Sequence, residues 1–231
     1  MLPLISKYKL YLYLFFLIFL SSIFNFKFLE NYQDKFSLKT ININGVSYKE
    51  KKNIEEELNN LKNTNIFKIR DNKVLEKLNK FNFIESINVK KIVPSSLDVD
   101  LSKTSILGKT FINGEEFYIG KNGKFINSNQ IFEKNKTPTI FGEFGIKEFL
   151  KFYNILNSQN VEVSNIEEYY YFKNRRWDLV FSNGIILKLP SKNLTDSIKI
   201  YKQLLDNDNL SNTKILDLRV FNQIIMTNKN E

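Results

Sequence analysis

Residues 10–26, LYLYLFFLIFLSSIFNF, carry no charge and are bracketed by Lys9 and Lys27. No other stretch constrains the chain as strongly. Seventeen uncharged residues, most of them large aliphatic or aromatic, lie near the lower limit for a helix that crosses a bilayer, and flanking lysines extend its reach by snorkelling. Tyr8, Tyr11 and Tyr13 fall where an interfacial aromatic belt is expected. The SSIFNF segment offers no pair of small residues suited to signal-peptide cleavage, so a retained anchor is expected. Lys7, Lys9 and the free amine then place a short stub, residues 1–9, in the cytoplasm, with a membrane helix over 10–28 and the rest of the chain outside.

The chain has no cysteine and no histidine. Disulfides, thiolate metal sites, Cys or His nucleophile systems and the commonest general base are thereby excluded. No catalytic residue, metal or cofactor is expected. Glu115/Glu116 and Glu167/Glu168 are adjacent carboxylates, but neighbours on a strand point to opposite faces, so neither pair flanks one bond. A membrane-anchored cell-wall enzyme working through carboxylates is the alternative in the catalytic class. The formal charge is +9, yet only four of the 34 basic residues are arginine. Acidic and basic residues are interspersed, and a duplex-binding face uses the bidentate fork of Arg, so nucleic acid is not an expected partner.

Ile41, Ile43 and Val46 fit a strand ending near the Asn44-Gly45 turn. Ser47 and Glu50 have capping-box spacing, and Ile54, Leu58 and Leu61 continue as one helical stripe. Asp71 is the expected N-cap of a second helix carrying Val74, Leu75, Leu78 and Phe81. FIESINVKKI and SLDVDLSKT read as strands joined at Pro94-Ser95-Ser96. From Lys109 onward the pattern is β-rich. Hairpins are expected at Asn122-Gly123 and Asn183-Gly184, helices over IKEFLKFYNIL and SKNLTDSIKIYKQLLDN, and one or two strands in TKILDLRVFNQIIMT. The fold class is therefore α+β.

The segments INGVSYKEKKNIEEEL, NIFKIRDNKVLEKL and FIESINVKKIVPSSLDVDL together look like a POTRA module of β-α-α-β-β order. One such module directly behind one N-terminal membrane helix resembles the FtsQ/DivIB family of bacterial division proteins. The resemblance continues through the Trp-led hairpin ending in LKLP, the helix after it, and LDLR before a final strand. Ser102 and Ser105 stand where the family carries a Glu and then a Pro. The resemblance implies a POTRA domain over 38–105 and a β-rich domain with flanking helices over 109–228. It implies a non-enzymatic scaffold, single-pass in the bacterial inner membrane, its bulk periplasmic, concentrated at the division septum. Its partners would be FtsB- and FtsL-like coiled-coil division proteins. Carried over by position, the partner surface comprises Arg175 or Arg176, the run Val220, Phe221, Asn222, Gln223 and Ile224, and a further contact upstream of LDLR, where Lys214 supplies the basic residue and Ser211 is the other candidate for the equivalent place. POTRA modules also occur in secretion and outer-membrane assembly, usually as several repeats, and no repeat is visible here.

Two stretches point to the same surface on their own chemistry. In RRWDLVFSNGIILKLP, Trp177, Leu179 and Phe181 share one strand face and are expected in the core, while Arg175 and Arg176 lie at the open end of the hairpin. In FNQIIMT, Ile224, Ile225 and Met226 form an apolar run that no Pro, Lys or Gly blunts. Such a strand at a sheet edge is expected to accept a strand from a partner.

Overall fold

The computed structural model describes residues 7–23, 34–132, 136–207, 210–220 and 223–229. The chain divides into two compact units. Met1–Asn44, Lys51–Leu78 and Ile87–Asp100 make one; Gly45–Glu50, Asn79–Ser86 and Leu101–Glu231 make the other. Helix α1 runs over Lys7–Ile23, 17 residues. Every side chain from Leu10 to Leu20 is at least 50% exposed, so the protein itself provides no cover for this apolar surface. Among the described residues no helix is long and apolar enough to cross a membrane. The last five positions of the expected span, 24–28, lie outside the described residues.

A three-stranded sheet holds β1 (Thr40–Asn44), β2 (Ile84–Ile92) and β3 (Ser96–Lys103) in the order β1-β3-β2, with β1 parallel to β3. Alternation buries Ile41 and Ile43 on β1 and Leu97, Val99 and Leu101 on β3. On the other face Asn42 donates to Asp98 at 2.7 Å and Asn44 to Asp100 at 3.0 Å, each across a register pair. Helices α2 (Tyr48–Leu58) and α3 (Asp71–Leu78) bury Ile54, Leu58, Val74 and Leu78, the stripe the 3.6-residue spacing predicts.

Two capping expectations need correction. Asp71 is the first helical residue rather than the cap, and its carboxylate takes an ion pair from Lys91 at 2.9 Å. Of the Ser47/Glu50 box only one half forms. The Glu50 carboxylate accepts from the Ser47 backbone N–H at 2.8 Å, whereas Ser47 Oγ is buried without a hydrogen-bond partner. Glu50 is 2% exposed and Lys103 Nζ lies 3.3 Å from it, so the carboxylate is spoken for by a cation as well as by the helix start.

The second unit is built on a nine-stranded sheet. Its strands are β4 (Ile106–Ile112), β5 (Glu115–Gly120), β6 (Phe125–Asn127), β7 (Thr139–Phe141), β8 (Ile166–Tyr171), β9 (Trp177–Phe181), β10 (Ile186–Lys188), β11 (Thr213–Asp217) and β12 (Ile225–Asn228). The order is β12-β11-β10-β9-β8-β7-β4-β5-β6. Helix α4 (Ile146–Ser158) connects β7 to parallel β8, and α5 (Leu194–Asp206) connects β10 to parallel β11. The expected hairpins at Asn122-Gly123 and Asn183-Gly184 are present. Strand β4 and its hairpin with β5 go beyond the reading of the sequence. Asn113 and Gly114 both adopt positive φ, 52° and 84°, the conformation that twists a two-residue turn to match its strands.

Phe149, Phe152 and Leu156 of α4 and Ile198 and Tyr201 of α5 are buried in one core with Tyr169, Trp177, Leu179, Phe181 and Leu187 of the sheet. Trp177 stacks on Phe152 at 4.8 Å with the rings 4° from parallel, and Tyr171, Phe144 and Phe149 lie within 6.0 Å of it. The tryptophan is core, as its strand position predicts. Trp177→Ala is expected to cost about 3–5 kcal/mol of unfolding free energy. Urea unfolding of the full chain checks this, and a loss below about 1 kcal/mol, the range of a surface substitution, would contradict the core assignment.

Candidate partner-binding surface

Strand β12 lies at one end of the nine-stranded sheet, and no described strand pairs with its outer side. Its inner side pairs with antiparallel β11, Asp217 facing Ile225 and Leu216 facing Met226. The Lys229 N–H donates to Asn212 O at 3.0 Å. Donors alternate in an antiparallel ladder, so Thr227 and Ile225 also face β11, while the N–H and C=O of Met226 and Asn228 face the open side. Ile225 is 48% and Met226 38% exposed.

The expected run 220–226 is not one strand. β12 starts only at Ile225, and the Gln223 N–H donates to Val220 O at 3.1 Å. Phe221 and Asn222 lie outside the described residues. Val220, Gln223 and Ile224 instead line a groove of about 660 Å³, together with Arg176, Lys192 and Arg219. Lys214 is exposed at the register irregularity between Thr213 and Ile215 and is not brought to this groove.

The two arginines of the hairpin separate. A tight turn joins β8 to β9, with Arg175 N–H donating to Phe172 O at 2.8 Å and Phe172 N–H to Arg176 O at 3.1 Å. Arg175, at φ 63°, is exposed and does not line the groove. Arg176 does, and its guanidinium sits 4.2 Å from the Phe172 ring centroid. Its Nε is 3.9 Å from Asp178 Oδ1, too long for a hydrogen bond, and both atoms are buried without a partner. Arg219 was not singled out in the sequence. The i, i+2 spacing of Asp217 and Arg219 within LDLR carried the signal: Arg219 Nε lies 2.8 and 2.9 Å from the two Asp217 oxygens. Arg219 Nη2 makes a further contact to Asp217 Oδ2.

Asp178, Lys188 and Asp217 are successive register partners across β9, β10 and β11 and so form a charged row on one sheet face. Burial pushes the Asp178 carboxyl above the ordinary carboxylate value, against the pull of Arg176, Lys188 and Arg219. For Asp217 burial also pushes upward, but the hydrogen bonds and charge of Arg219, with Lys188, outweigh it and hold the carboxyl below its ordinary value. The two acids therefore carry opposite pH signs. The charge on Asp178 costs stability above its raised native pKa, and that cost disappears as pH falls below 3.8. The charge on Asp217 contributes stability that is present above 3.8 and is lost as pH falls through its lowered native pKa. At about pH 7, Asp178→Asn is expected to be more stable than the parent and Asp217→Asn less stable, both differences shrinking towards about pH 3. Thermal unfolding across that range measures both, and slopes of the same sign would contradict the assignment.

Among the described residues no cluster of three or more metal-ligating side chains occurs. Comparison with known proteins places the chain. The model for "POTRA domain, FtsQ-type" matches residues 36–103, and that for "Cell division protein FtsQ/DivIB, C-terminal" matches residues 111–219, ending before β12. Cell division protein FtsQ of Rickettsia bellii (strain RML369-C) is 26% identical over 192 residues, 80% of this chain and 69% of that protein. FtsQ of Rickettsia typhi (strain ATCC VR-144 / Wilmington) is 25% identical over 80% of this chain and 70% of that protein. FtsQ of Rhizobium meliloti (strain 1021) is 23% identical over 60% and 45%. A solved structure, the major extracytoplasmic domain of the cell division protein DivIB from Geobacillus stearothermophilus, covers 46% of this chain and 98% of its own at 14% identity. Its TM-score of 0.31 is too low to carry an argument. With the two family matches following one another along the sequence, the chain belongs to the FtsQ/DivIB family of cell-division proteins.

Proposed function

We propose that this protein is a non-enzymatic scaffold of the bacterial division machinery, binding FtsB- and FtsL-like partners at the septum by strand addition to β12. The observation that carries this reading is the open edge of β12 directly beside a groove lined by Arg176 and Arg219. An incoming strand would pair with the outward N–H and C=O of Met226 and Asn228, giving affinity through the backbone. An acidic residue flanking that strand would meet the guanidinium groups of the groove, and this pairing would set register and orientation. Arg175, exposed on the neighbouring turn, adds to the positive field that such a partner approaches.

The same reading makes α1 the core of a single membrane anchor over 10–28, with residues 1–9 cytoplasmic and both the POTRA domain, 38–105, and the β-rich domain, 109–228, on the periplasmic side of the inner membrane. A helix of 17 residues is roughly 26 Å long, a few ångströms short of the hydrocarbon core. Snorkelling of Lys9 and Lys27 at the two flanks of the uncharged run makes up the difference. Apolar side chains exposed from Leu10 to Leu20 are otherwise unexplained in water.

Met226→Pro separates strand addition from other modes of contact. Its lost N–H faces away from β11, so β12 keeps its pairing while the outer ladder loses a donor. Binding of an FtsB-like partner to the full chain is expected to weaken by at least about tenfold, with unfolding free energy nearly unchanged. Photo-crosslinking from Ile224 and Met226 in dividing cells should capture the same partner. Unchanged affinity of the proline variant would contradict strand addition, and absence of any captured division protein would remove the scaffold reading.

A further inference from the structure

The segment by which the chain enters the first unit is flanked on both sides. Phe36 O accepts from Ile66 N at 2.8 Å and the Leu38 N–H donates to Thr64 O at 2.9 Å, while the Lys39 N–H donates to Ser95 O at 2.8 Å. The 62–68 loop and the turn between β2 and β3 are thus gathered at the end where the chain enters. This end presents apolar side chains to solvent. Phe67 is 65% exposed, Val93 54% and Ile92 46%, and the Phe67 ring lies 5.4 Å from that of Phe36. Around them stand the exposed cations Lys35, Lys39, Lys68 and Arg70. Among the described residues of these segments the acids are Asp34 and Asp71, and Asp71 is paired with Lys91.

Scattered apolar side chains on a surface need no explanation. An apolar tip ringed by lysine and arginine, placed where the chain emerges from its membrane segment, has the chemistry of a bilayer interface. The tether fixes its location. Ten residues separate Ile23 from Asp34. In any arrangement they reach at most roughly 40 Å, which keeps the entry end within a short distance of the headgroups and at high effective concentration towards them. We propose that the entry end of the first unit, with Phe67, Ile92 and Val93 at its tip and Lys35, Lys39, Lys68 and Arg70 around it, docks on the anionic lipid headgroups of the membrane that holds α1. The proposal rests on the anchor reading of α1. Docking would orient the first unit on the bilayer.

The chain contains no cysteine, so single labels can be introduced without first replacing native cysteines. Full-length protein carrying a nitroxide at Val93→Cys, Phe16→Cys or Glu115→Cys is reconstituted in vesicles of phosphatidylethanolamine with phosphatidylglycerol, and separately in phosphatidylcholine. Collision with oxygen and with an aqueous nickel chelate reports lipid or water contact. In the anionic vesicles the labels at 16 and 93 are expected in lipid and that at 115 in water, with the label at 93 returning to water in phosphatidylcholine. Each basic residue near an anionic surface shifts partition about fivefold, so Lys39→Ala with Lys68→Ala should lower the docked-to-undocked ratio at 93 by about 25-fold, with an unchanged circular dichroism spectrum. Label 16 in lipid with label 93 in water overturns docking and leaves the anchor standing. Label 16 in water overturns the anchor and the docking with it. Equal lipid contact at 93 in both vesicle types overturns the assignment to anionic headgroups.

Discussion

The face-to-face stack of Trp177 on Phe152 is the contact on which the working end of the second unit depends. It joins the start of a central strand to the middle of α4, and three further aromatic rings close around the indole. Once Trp177 is committed to the helical side, strand alternation leaves no freedom to its neighbours. Asp178 must face the other side of the sheet, and the turn before the strand must project from its end. The locations of Arg175 and Arg176 are therefore consequences of a packing contact. A residue often counted among binding hot spots acts here by holding others in place.

An open sheet leaves two edges, and this one treats them differently. β6 has three residues and passes at once into a short 3-10 turn capped by Asn127, whose side chain accepts from Asn129 N–H; little unpaired backbone is left there. β12 carries no such protection. The charged row Asp178–Lys188–Asp217 leads across three strands towards it, and Asp217 faces Ile225 directly. Charge and hydrogen-bonding capacity thus meet at one corner of the molecule. Two guanidinium groups stand at that corner beside acids whose environments differ: one carboxylate buried and disfavoured, the other chelated by its arginine and favoured.

Much of this was legible in the sequence, because the signals were local. Alternation gave the strands, the 3.6-residue stripe gave the helices, and Asn-Gly gave two hairpins. Asn113-Gly114 offered the same signal between Phe111-Ile112 and Phe117, and the strand before it went unread only because its apolar run begins at Ile106, ahead of the point where the pattern turns β-rich. Other features were out of reach for a physical reason. Asn122 donates to Asn82 O and Ile84 O, and Asn82 donates to Phe125 O, contacts across some forty positions that give residues 79–86 to the second unit. No periodicity encodes a single amide reaching a distant carbonyl. The run 220–226 fails differently. Its apolar residues suit a strand, but Val220 and Ile224 line the groove and only Ile225 and Met226 enter β12, a division that propensity does not encode.

The shortness of the last strands has a thermodynamic consequence. β12 is held on one side only, by four register pairs interrupted by an irregularity, and its own outward-facing side chains are largely in water. An element held on one side only opens at a lower free-energy cost than the core of its domain. A ligand that needs the strand in place binds only the closed fraction, and its apparent affinity is lowered by that fraction. On the strand-addition reading, the pairing between β11 and β12 would itself control recruitment: substitutions at Thr213 or Ile215, buried or half-buried beneath the edge, would set how much of the protein is ready to be joined.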